Sequence, residues 1–492
     1  MNSFKKILNN RFFFPVLVIL WGIVSVLFFE KLPANNGLGW DGYRYALIVQ
    51  ELLLSSAVDN YTVLRIFPPS LVHSILKLLY VEPSAAHIIN SFHVLNTLSI
   101  AVAAFFFKKC LAQFSISPEN QLIAFVLLLF NYAIANFTYY YPVMTDSVAF
   151  CVSAIMLYCY LRKQTLNLFL LTIIGAFTWP SLLLQGVLLI LFPYENNYPV
   201  KTFNSRIRFG FSLFSCVYLF VLIAYFVFYS GQDNEVYGVP KIDQNLIFTS
   251  AIGILLLFYF LPQLLFNKAF YYPVSWFTKR TLISLVTCAV IVVIIFVAKD
   301  WLNFSNRQSH YYNLQHQLTT SMVFGMAKPL ISVVSHSTYF GSLFVLLIVL
   351  WNPFTKEVHA LGKGWAFFLF INLFLFGLKT ESRAIINVVP WLVFGLTIVL
   401  NQKPRNKWFS LAIVCFNILS TKMWLSVNYG SANGGLDNRG AALFPDQGFF
   451  LNFGNRMSEK MWLIQLGLTI AFGIIIYFLI KTNEYGKPRK LR

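Results

Sequence analysis

The stretch LNLFLLTIIGAFTWPSLLLQGVLLILF, residues 166–192, decides the class of fold. It is almost wholly apolar, and it is longer than the roughly 17 to 25 residues that cross a bilayer once. Trp179-Pro180 interrupts it. Because proline breaks a helix and disfavours helical backbone at the residue before it, two short helices are predicted to meet here, at the outer membrane face. A chain built from such segments is all-α and embedded in a membrane.

The composition supports a membrane protein throughout. Of 492 residues, 58% are hydrophobic and only 11% are charged, and the mean hydropathy is +0.66, which lies outside the range of soluble globular domains. Apolar length and interrupting charges predict about 14 transmembrane helices. The predicted spans are 12–29, 85–107, 119–137, 146–161, 166–177, 180–193, 208–229, 247–266, 281–298, 331–351, 364–378, 384–400, 408–427 and 461–480.

The basic residues predict the orientation in the membrane. When the N-terminus is placed in the cytoplasm, basic clusters gather on that side, as the positive-inside rule requires. They are Lys5, Lys6, Arg11, Lys108, Lys109, Arg162, Lys163, Lys279, Arg280, Lys403, Arg405, Lys407, Lys487, Arg489, Lys490 and Arg492. The formal net charge of +19 favours anionic membrane lipids as neighbours and gives no indication of nucleic acid. We expect a multi-pass protein of the bacterial inner membrane with both termini in the cytoplasm, the endoplasmic reticulum being the alternative.

Two modules are predicted within one integral membrane domain. Residues 1–200 form the first module, whose outer loop 30–84 contains the amphipathic stretches YALIVQELLLSS and LVHSILKLLY. We expect these to be short helices on the membrane surface, over a cavity. Residues 201–492 form the second module, with outer loops 299–330 and 428–460.

Asp41 is the first candidate for chemistry. It lies in GWDGYRYAL, residues 39–47, in the outer loop after the first span, where a carboxylate at the membrane edge is costly. Tyr43 and Arg44 accompany it as candidate sugar or acceptor ligands, and Arg44 is the predicted partner that keeps Asp41 ionised. The alternative is a solvated loop aspartate beside a turn glycine.

Asp146 is the second carboxylate on the predicted outer face. It opens the fourth span within YYYPVMTDSVAF, residues 139–150. Asp, Ser and Thr are preferred at helix N-termini, so the structural alternative is a helix cap. Capping and catalysis are not exclusive.

Three outward cations are candidate ligands of a phosphate. Arg383 and Lys379 lie in LKTESRAIINVVP, residues 378–390, against the positive-inside trend, and Arg65 lies in TVLRIFPPS. Arginine offers a planar fork that matches a phosphate. The alternative for Arg383 is an interfacial ion pair with Glu381. Trp179, at the predicted break, is a further candidate for stacking on a sugar.

We predict no metal ion and no other cofactor. His310 and His316 share the outer loop 299–330, but their spacing matches no standard zinc pattern. Nucleotide-binding glycine motifs and a cytoplasmic pair of acids for a divalent ion are also lacking in the sequence. A divalent metal is the alternative left open.

The order of these motifs resembles the C-type glycosyltransferase superfamily, polytopic enzymes that use polyprenyl-phosphate sugars, such as protein O-mannosyltransferases and lipid A aminoarabinose transferases. The resemblance rests on GWDGYRY, RIFPPS, YPVMTDS, TWPS and SRAIINVVP. It implies that Asp41 is the general base and that Asp146 binds the acceptor or orients the base. It also implies that Arg383, with Lys379 and Arg65, binds the lipid phosphate.

The expected function is transfer of a sugar from a polyprenyl-phosphate donor to a hydroxyl of a glycan, lipid or protein acceptor, with inversion, at the periplasmic or lumenal face. A lipid-linked saccharide flippase or other transporter is the leading rival, since such proteins also have broken helices and cavity-lining arginines. A noncatalytic subunit of an envelope assembly is the third interpretation. Two separated carboxylates beside outward cations favour the enzyme.

Overall fold

A computed structural model describes residues 8, 10–32, 34–52, 58–59, 61–195, 198–229, 247–272, 278–302, 321, 324–403, 407–423, 454, 457 and 459–484. Within these ranges the chain is all-helical, with one isolated β-bridge between Thr202 and Asn267. The longer helices are α1 (Phe13–Phe28), α2 (Asp41–Glu51), α3 (Phe67–Leu78), α4 (Ala85–Gln113), α5 (Pro118–Leu129), α6 (Asp146–Leu161), α7 (Thr165–Ala176), α8 (Pro180–Leu191), α9 (Ser205–Tyr229), α10 (Ile247–Phe260), α11 (Lys279–Leu302), α12 (Ile331–Phe340), α13 (Leu343–Val349), α14 (Trp351–Leu361), α15 (Lys363–Phe376), α16 (Val389–Gln402), α17 (Lys407–Thr421) and α18 (Glu459–Glu484).

Several of these helices suit a membrane. Among the described residues, α4, α11 and residues 459–482 of α18 are long and apolar enough to cross one. Two bent pairs pass the same test together: α5 with Ala133–Tyr140, bent by 58°, and α13 with α14, bent by 92°. Eight shorter apolar helices accompany them. The described part of the chain thus contains three to five candidate spans, together with further apolar helices.

The predicted break at Trp179-Pro180 is present. Helix α7 ends at Ala176 and α8 begins at Pro180, and Trp179 between them has extended backbone (φ −156°, ψ 118°). This is the conformation that a following proline imposes. The two helices pack against each other as a hairpin.

The predicted span 331–351 is divided in the structure. Helix α12 ends before Gly341, whose φ of +66° only glycine adopts readily. Buried Asn417 holds the next turn: its Oδ1 accepts from the Ser342 N–H at 2.9 Å, and its Nδ2 donates to the Ser342 hydroxyl at 3.0 Å. The predicted span 331–351 is therefore not one helix, because a polar side chain from α17 replaces the helical hydrogen bonds at this point. The helix pair long and apolar enough to cross a membrane here is α13 with α14.

The core lies around α15 and α16. Trp365 and Trp391 are fully buried, with ring centroids 4.8 Å apart. A polar network crosses the apolar interior directly below the predicted outer face. Ser181 donates to Asn387 Oδ1 at 3.1 Å, and Asn387 Nδ2 donates to Gln185 Oε1 at 3.1 Å. Because buried amides are costly unless paired, this network fixes the start of α16 against α8.

Candidate functional site

Asp41 and Arg383 form an ion pair across 342 positions of sequence, with Arg383 Nη2 2.6 Å from Asp41 Oδ2. Asp41 opens α2, and Arg383 lies in the 3₁₀ turn Ser382–Ile385 that precedes α16. The Asp41 side chain is 25% exposed and that of Arg383 only 7%. The Asp41 carboxylate is therefore accessible to a ligand, whereas the Arg383 guanidinium is buried.

The predicted pairing of Asp41 with Arg44 is wrong. Arg44 Nη2 lies 2.6 Å from Asp59 Oδ2 instead. The carboxylate of Asp59 is fixed by the backbone N–H groups of Tyr61 and Thr62, at 2.9 and 2.8 Å. A carboxylate anchored by backbone donors is a better defined partner than one that already faces a buried guanidinium.

Glu381 extends the pair into a row of alternating charges. Its Oε1 accepts from Arg383 Nε at 2.6 Å, and its Oε2 lies 2.8 Å from Lys379 Nζ. The expected Arg383–Glu381 pair is thus present, but it does not exclude the contact with Asp41. Burial opposes ionisation of Glu381, and the two cations outweigh it and lower the pKa of this carboxyl to about 2. The row Lys379, Glu381, Arg383 and Asp41 is neutral as a whole.

His336 anchors the segment that carries this row. Its Nδ1 lies 3.1 Å from the Ser382 hydroxyl and its Nε2 3.0 Å from the carbonyl oxygen of Gly377. A carbonyl can only accept, so Nε2 carries the proton and Nδ1 accepts from the hydroxyl. Ser332 donates to the Leu378 carbonyl at 2.8 Å. Helix α12 therefore holds both ends of the turn.

Asp146 is buried beside the ion pair. It is 7% exposed, and neither carboxylate oxygen has a hydrogen-bond partner among the described residues. Arg383 and Arg65 are the cations whose charges act on it. A cavity of about 10 Å³, about the size of one water molecule, is lined by Asp146 together with Asn96 and Tyr339.

Asp146 makes no capping hydrogen bond, although it lies in the first turn of α6, where the helix dipole favours an acid. Thr145 occupies the N-cap position of α6, and no side-chain capping hydrogen bond is formed. Asp146 itself is the first helical residue, and its oxygens do not reach the free N–H groups of the first turn. What remains is a buried carboxylate whose hydrogen-bonding capacity is unused by the described residues.

Arg65 is held between two aromatic rings. Its guanidinium carbon lies 4.3 Å from the Tyr61 ring centroid and 4.1 Å from that of Trp179. Its Nη1 donates to the Tyr45 hydroxyl at 3.3 Å, while its Nε has no partner among the described residues. Cation–π contacts of this kind orient a guanidinium without consuming its donors. Trp179 thus lies in the site as a support for Arg65.

Two hydrogen bonds from backbone N–H groups attach the first outer loop to neighbouring segments. The Phe67 N–H donates to the Phe177 carbonyl at 2.9 Å. The Gly42 N–H donates to the Tyr141 hydroxyl at 3.1 Å. The first bond fixes the start of α3 against the break between α7 and α8, and the second fixes α2 against the turn before α6. Asp41, Arg65 and Asp146 thereby share one cluster. Tyr43 lies outside it and is 48% exposed.

Sequence reasoning missed several residues of this cluster. Tyr61 precedes Arg65 by four positions, the spacing of neighbours on one helix face, and this signal could have found it. Tyr45 hydrogen-bonds to Arg65 across 20 positions, which local spacing does not reveal. Met144, whose Sδ accepts from Arg383 Nη1 at 3.7 Å, and His336 are distant in sequence from Arg383, and no local pattern indicates them.

No group of three or more metal-ligating side chains occurs within the part of the chain that the structure describes. His310 and His316 lie outside the described residues, as do most of the outer loops 299–330 and 428–460. In comparisons with known proteins, no family model, no curated protein and no solved structure matches this chain. The chemistry of the cluster is thus the basis for any function.

Proposed function

We propose that this protein is a membrane glycosyltransferase that moves one sugar from a polyprenyl-phosphate donor to an acceptor hydroxyl at the periplasmic or lumenal face. The observation that carries the proposal is the Asp41–Arg383 ion pair at 2.6 Å, which joins a candidate base to a candidate phosphate ligand. In this proposal the chain makes about 14 crossings with cytoplasmic termini, as the charges favour, and this topology would put the cluster at the outer face.

Donor binding releases the base in this proposal. The lipid phosphate takes the face of Arg383 that Asp41 occupies, because arginine binds phosphate through two parallel N–H donors. Arg65, with its unpaired Nε, and Lys379 add charge on the same anion. Asp41, 25% exposed, is then free to accept a proton from the acceptor.

The transfer step balances without a cofactor. The acceptor O–H proton passes to Asp41, and the acceptor oxygen attacks the anomeric carbon. The bond from that carbon to the phosphate oxygen breaks, and the electron pair leaves with the polyprenyl phosphate. Arg383 stabilises the departing anion. Direct displacement inverts the anomeric configuration, and Asp146 orients the acceptor through its unused carboxylate oxygens.

The test is transfer by purified full-length wild type and Asp41→Asn with radiolabelled polyprenyl-phosphate sugars, mannose first. We expect wild type to release label to an acceptor and the variant to lose roughly 10²- to 10⁴-fold in rate. Glu51→Gln is the matched control, since Glu51 ends the same helix and is exposed. Equal transfer by wild type and Asp41→Asn would remove Asp41 from the mechanism.

The second candidate is a transporter of lipid-linked saccharides. The broken helix pairs at Phe130 and at Leu350 favour it, because transporters bind substrates at such breaks. Movement of a labelled polyprenyl-phosphate sugar across a proteoliposome bilayer, without transfer of the sugar to any acceptor in the panel, would favour this candidate over the enzyme.

A further inference from the structure

A second site lies at the opposite ends of two helices that lead to the cluster. Helix α8 runs from Pro180, beside Trp179, to Leu191, and α15 runs from Lys363 toward the segment of Arg383. At 1.5 Å per residue these helices span about 18 to 21 Å. A cavity of about 290 Å³ opens where α8 ends and where α11 and α15 begin.

The lining of this cavity combines cations with apolar surface. Lys363 and Arg280 are its cations and Glu195 is its one carboxylate. Its other lining residues are Leu191, Phe192, Pro193, Tyr198, Thr278 and Thr281. The charged lining residues therefore sum to one positive charge, and one wall is apolar.

The N-terminus of α11 adds to the attraction for an anion. Helix α11 has 24 residues and begins at Lys279. The hydroxyl of Thr278 accepts from the Thr281 N–H at 3.1 Å and pairs with the Thr281 hydroxyl at 2.8 Å. Both threonines and Arg280 line the cavity, so the positive end of the helix dipole faces it together with a guanidinium.

Lys363 is held in the cavity wall by close backbone packing. It is 7% exposed. The next residue, Gly364, lies against the Phe192 carbonyl, and an added Cβ there would collide with that oxygen. Burial lowers the pKa of the Lys363 ammonium, and the charge of Glu195 opposes this. A bound anion would also favour the charged ammonium.

The apolar wall and the neighbouring helix surface indicate the source of the anion. Directly after the cavity, Leu282, Ile283, Leu285 and Val286 of α11 are 49–63% exposed. Such a surface suits acyl chains, whereas a soluble phosphate would gain nothing from it. We propose that this cavity binds the phosphate headgroup of an anionic phospholipid, with Arg280 and Lys363 on the phosphate and the acyl chains along α11.

The test is lipid retention by the purified full chain in native mass spectrometry. The delipidated protein is titrated with dioleoylphosphatidylglycerol and, separately, with dioleoylphosphatidylcholine, whose headgroup carries no net charge. Wild type should bind the anionic lipid at least tenfold more tightly. Arg280→Gln should lose most of that preference, and Lys363→Gln the same, while Lys279→Gln, an exposed neighbour that does not line the cavity, should keep it.

Arg280 is exposed, so Arg280→Gln keeps the test valid if Lys363→Gln fails to fold, as a shift in melting temperature would show. Unchanged preference in folded Arg280→Gln would overturn the site. Inorganic phosphate that displaces the lipid at comparable affinity would overturn the lipid assignment and leave a soluble phosphate as the ligand. Neither result depends on glycosyl transfer at the outer cluster.

Discussion

The indole of Trp179 lies 4.1 Å from the guanidinium carbon of Arg65, which places the break between α7 and α8 in direct contact with the first outer loop. The sequence indicated Trp179 as a sugar-stacking residue. In the structure its ring faces a cation, and this contact leads to the first prediction.

Trp179→Leu should weaken donor binding. Loss of the cation–π contact is worth about 0.5–2 kcal/mol, which corresponds to a rise in donor KM of about 2- to 30-fold with kcat little changed. Trp179→Phe should keep a donor KM close to that of wild type, because an aromatic ring still packs against Arg65. Steady-state kinetics with varied donor measures both. Trp408→Leu, at an exposed tryptophan of α17, is the control, and a lower kcat at constant KM for Trp179→Leu would contradict the supporting role.

Asp146→Asn should leave the fold intact and reduce transfer. The Asp146 carboxylate accepts no hydrogen bond from the described residues. Replacing it with the asparagine amide therefore breaks no hydrogen bond and removes a buried charge. The melting temperature should therefore stay constant or rise, while the rate of transfer falls at least tenfold. Differential scanning fluorimetry and the transfer assay are run on one preparation. A large drop in melting temperature would show that Asp146 has a structural partner instead.

Glu381 should stabilise the fold in a defined pH range. Its folded pKa of about 2 lies below the ordinary value of 4.5, so its contribution is fully present above about pH 4.5 and is lost as the pH falls toward 2. A shift of this size is on the order of 3 kcal/mol. The difference in melting temperature between wild type and Glu381→Gln should be constant from pH 5 to 8 and shrink below pH 4.5. A difference that is independent of pH would contradict ionisation of Glu381.

His336→Leu should loosen the segment that carries Arg383. It removes the bonds to Ser382 and to the Gly377 carbonyl, and each buried group left unpaired costs about 1–3 kcal/mol. Ser382→Ala removes one bond and should cost less. Thermal unfolding gives the stability, and donor KM reports the position of Arg383. Loss of stability with unchanged KM would restrict His336 to a structural role.

Local signals in the sequence predicted most of the helices. Span 146–161 coincides with α6, and the hairpin at Trp179-Pro180 follows from the backbone restriction that proline imposes. Span 331–351 was less well predicted. Apolar length identifies buried helix, but the interruption at Gly341 depends on Asn417 of another helix, and a single window of sequence does not contain that contact.

The contrast between local signals and tertiary contacts also explains which parts of the candidate site could be predicted. Asp41, Asp146, Arg65 and Arg383 are candidates because ionisable residues next to apolar spans are rare and costly, and the structure brings them into one cluster. Their partners were harder to predict. Arg44 is the nearest cation to Asp41 in sequence. In the structure, however, Arg44 forms an ion pair with Asp59, and Asp41 forms one with Arg383. Ion pairs are chosen by tertiary distance and by competition between carboxylates, neither of which periodicity or spacing reveals.

The separation of 342 positions between Asp41 and Arg383 also sets the delay between the synthesis of the two residues. A ribosome that adds roughly 5–20 residues per second needs about 20–70 seconds to reach the second residue after the first. During that interval the growing chain already exposes Asp41 without the guanidinium that later pairs with it. The cluster is thus completed late in synthesis, and a chain that stops early retains its first helices and an uncompensated carboxylate.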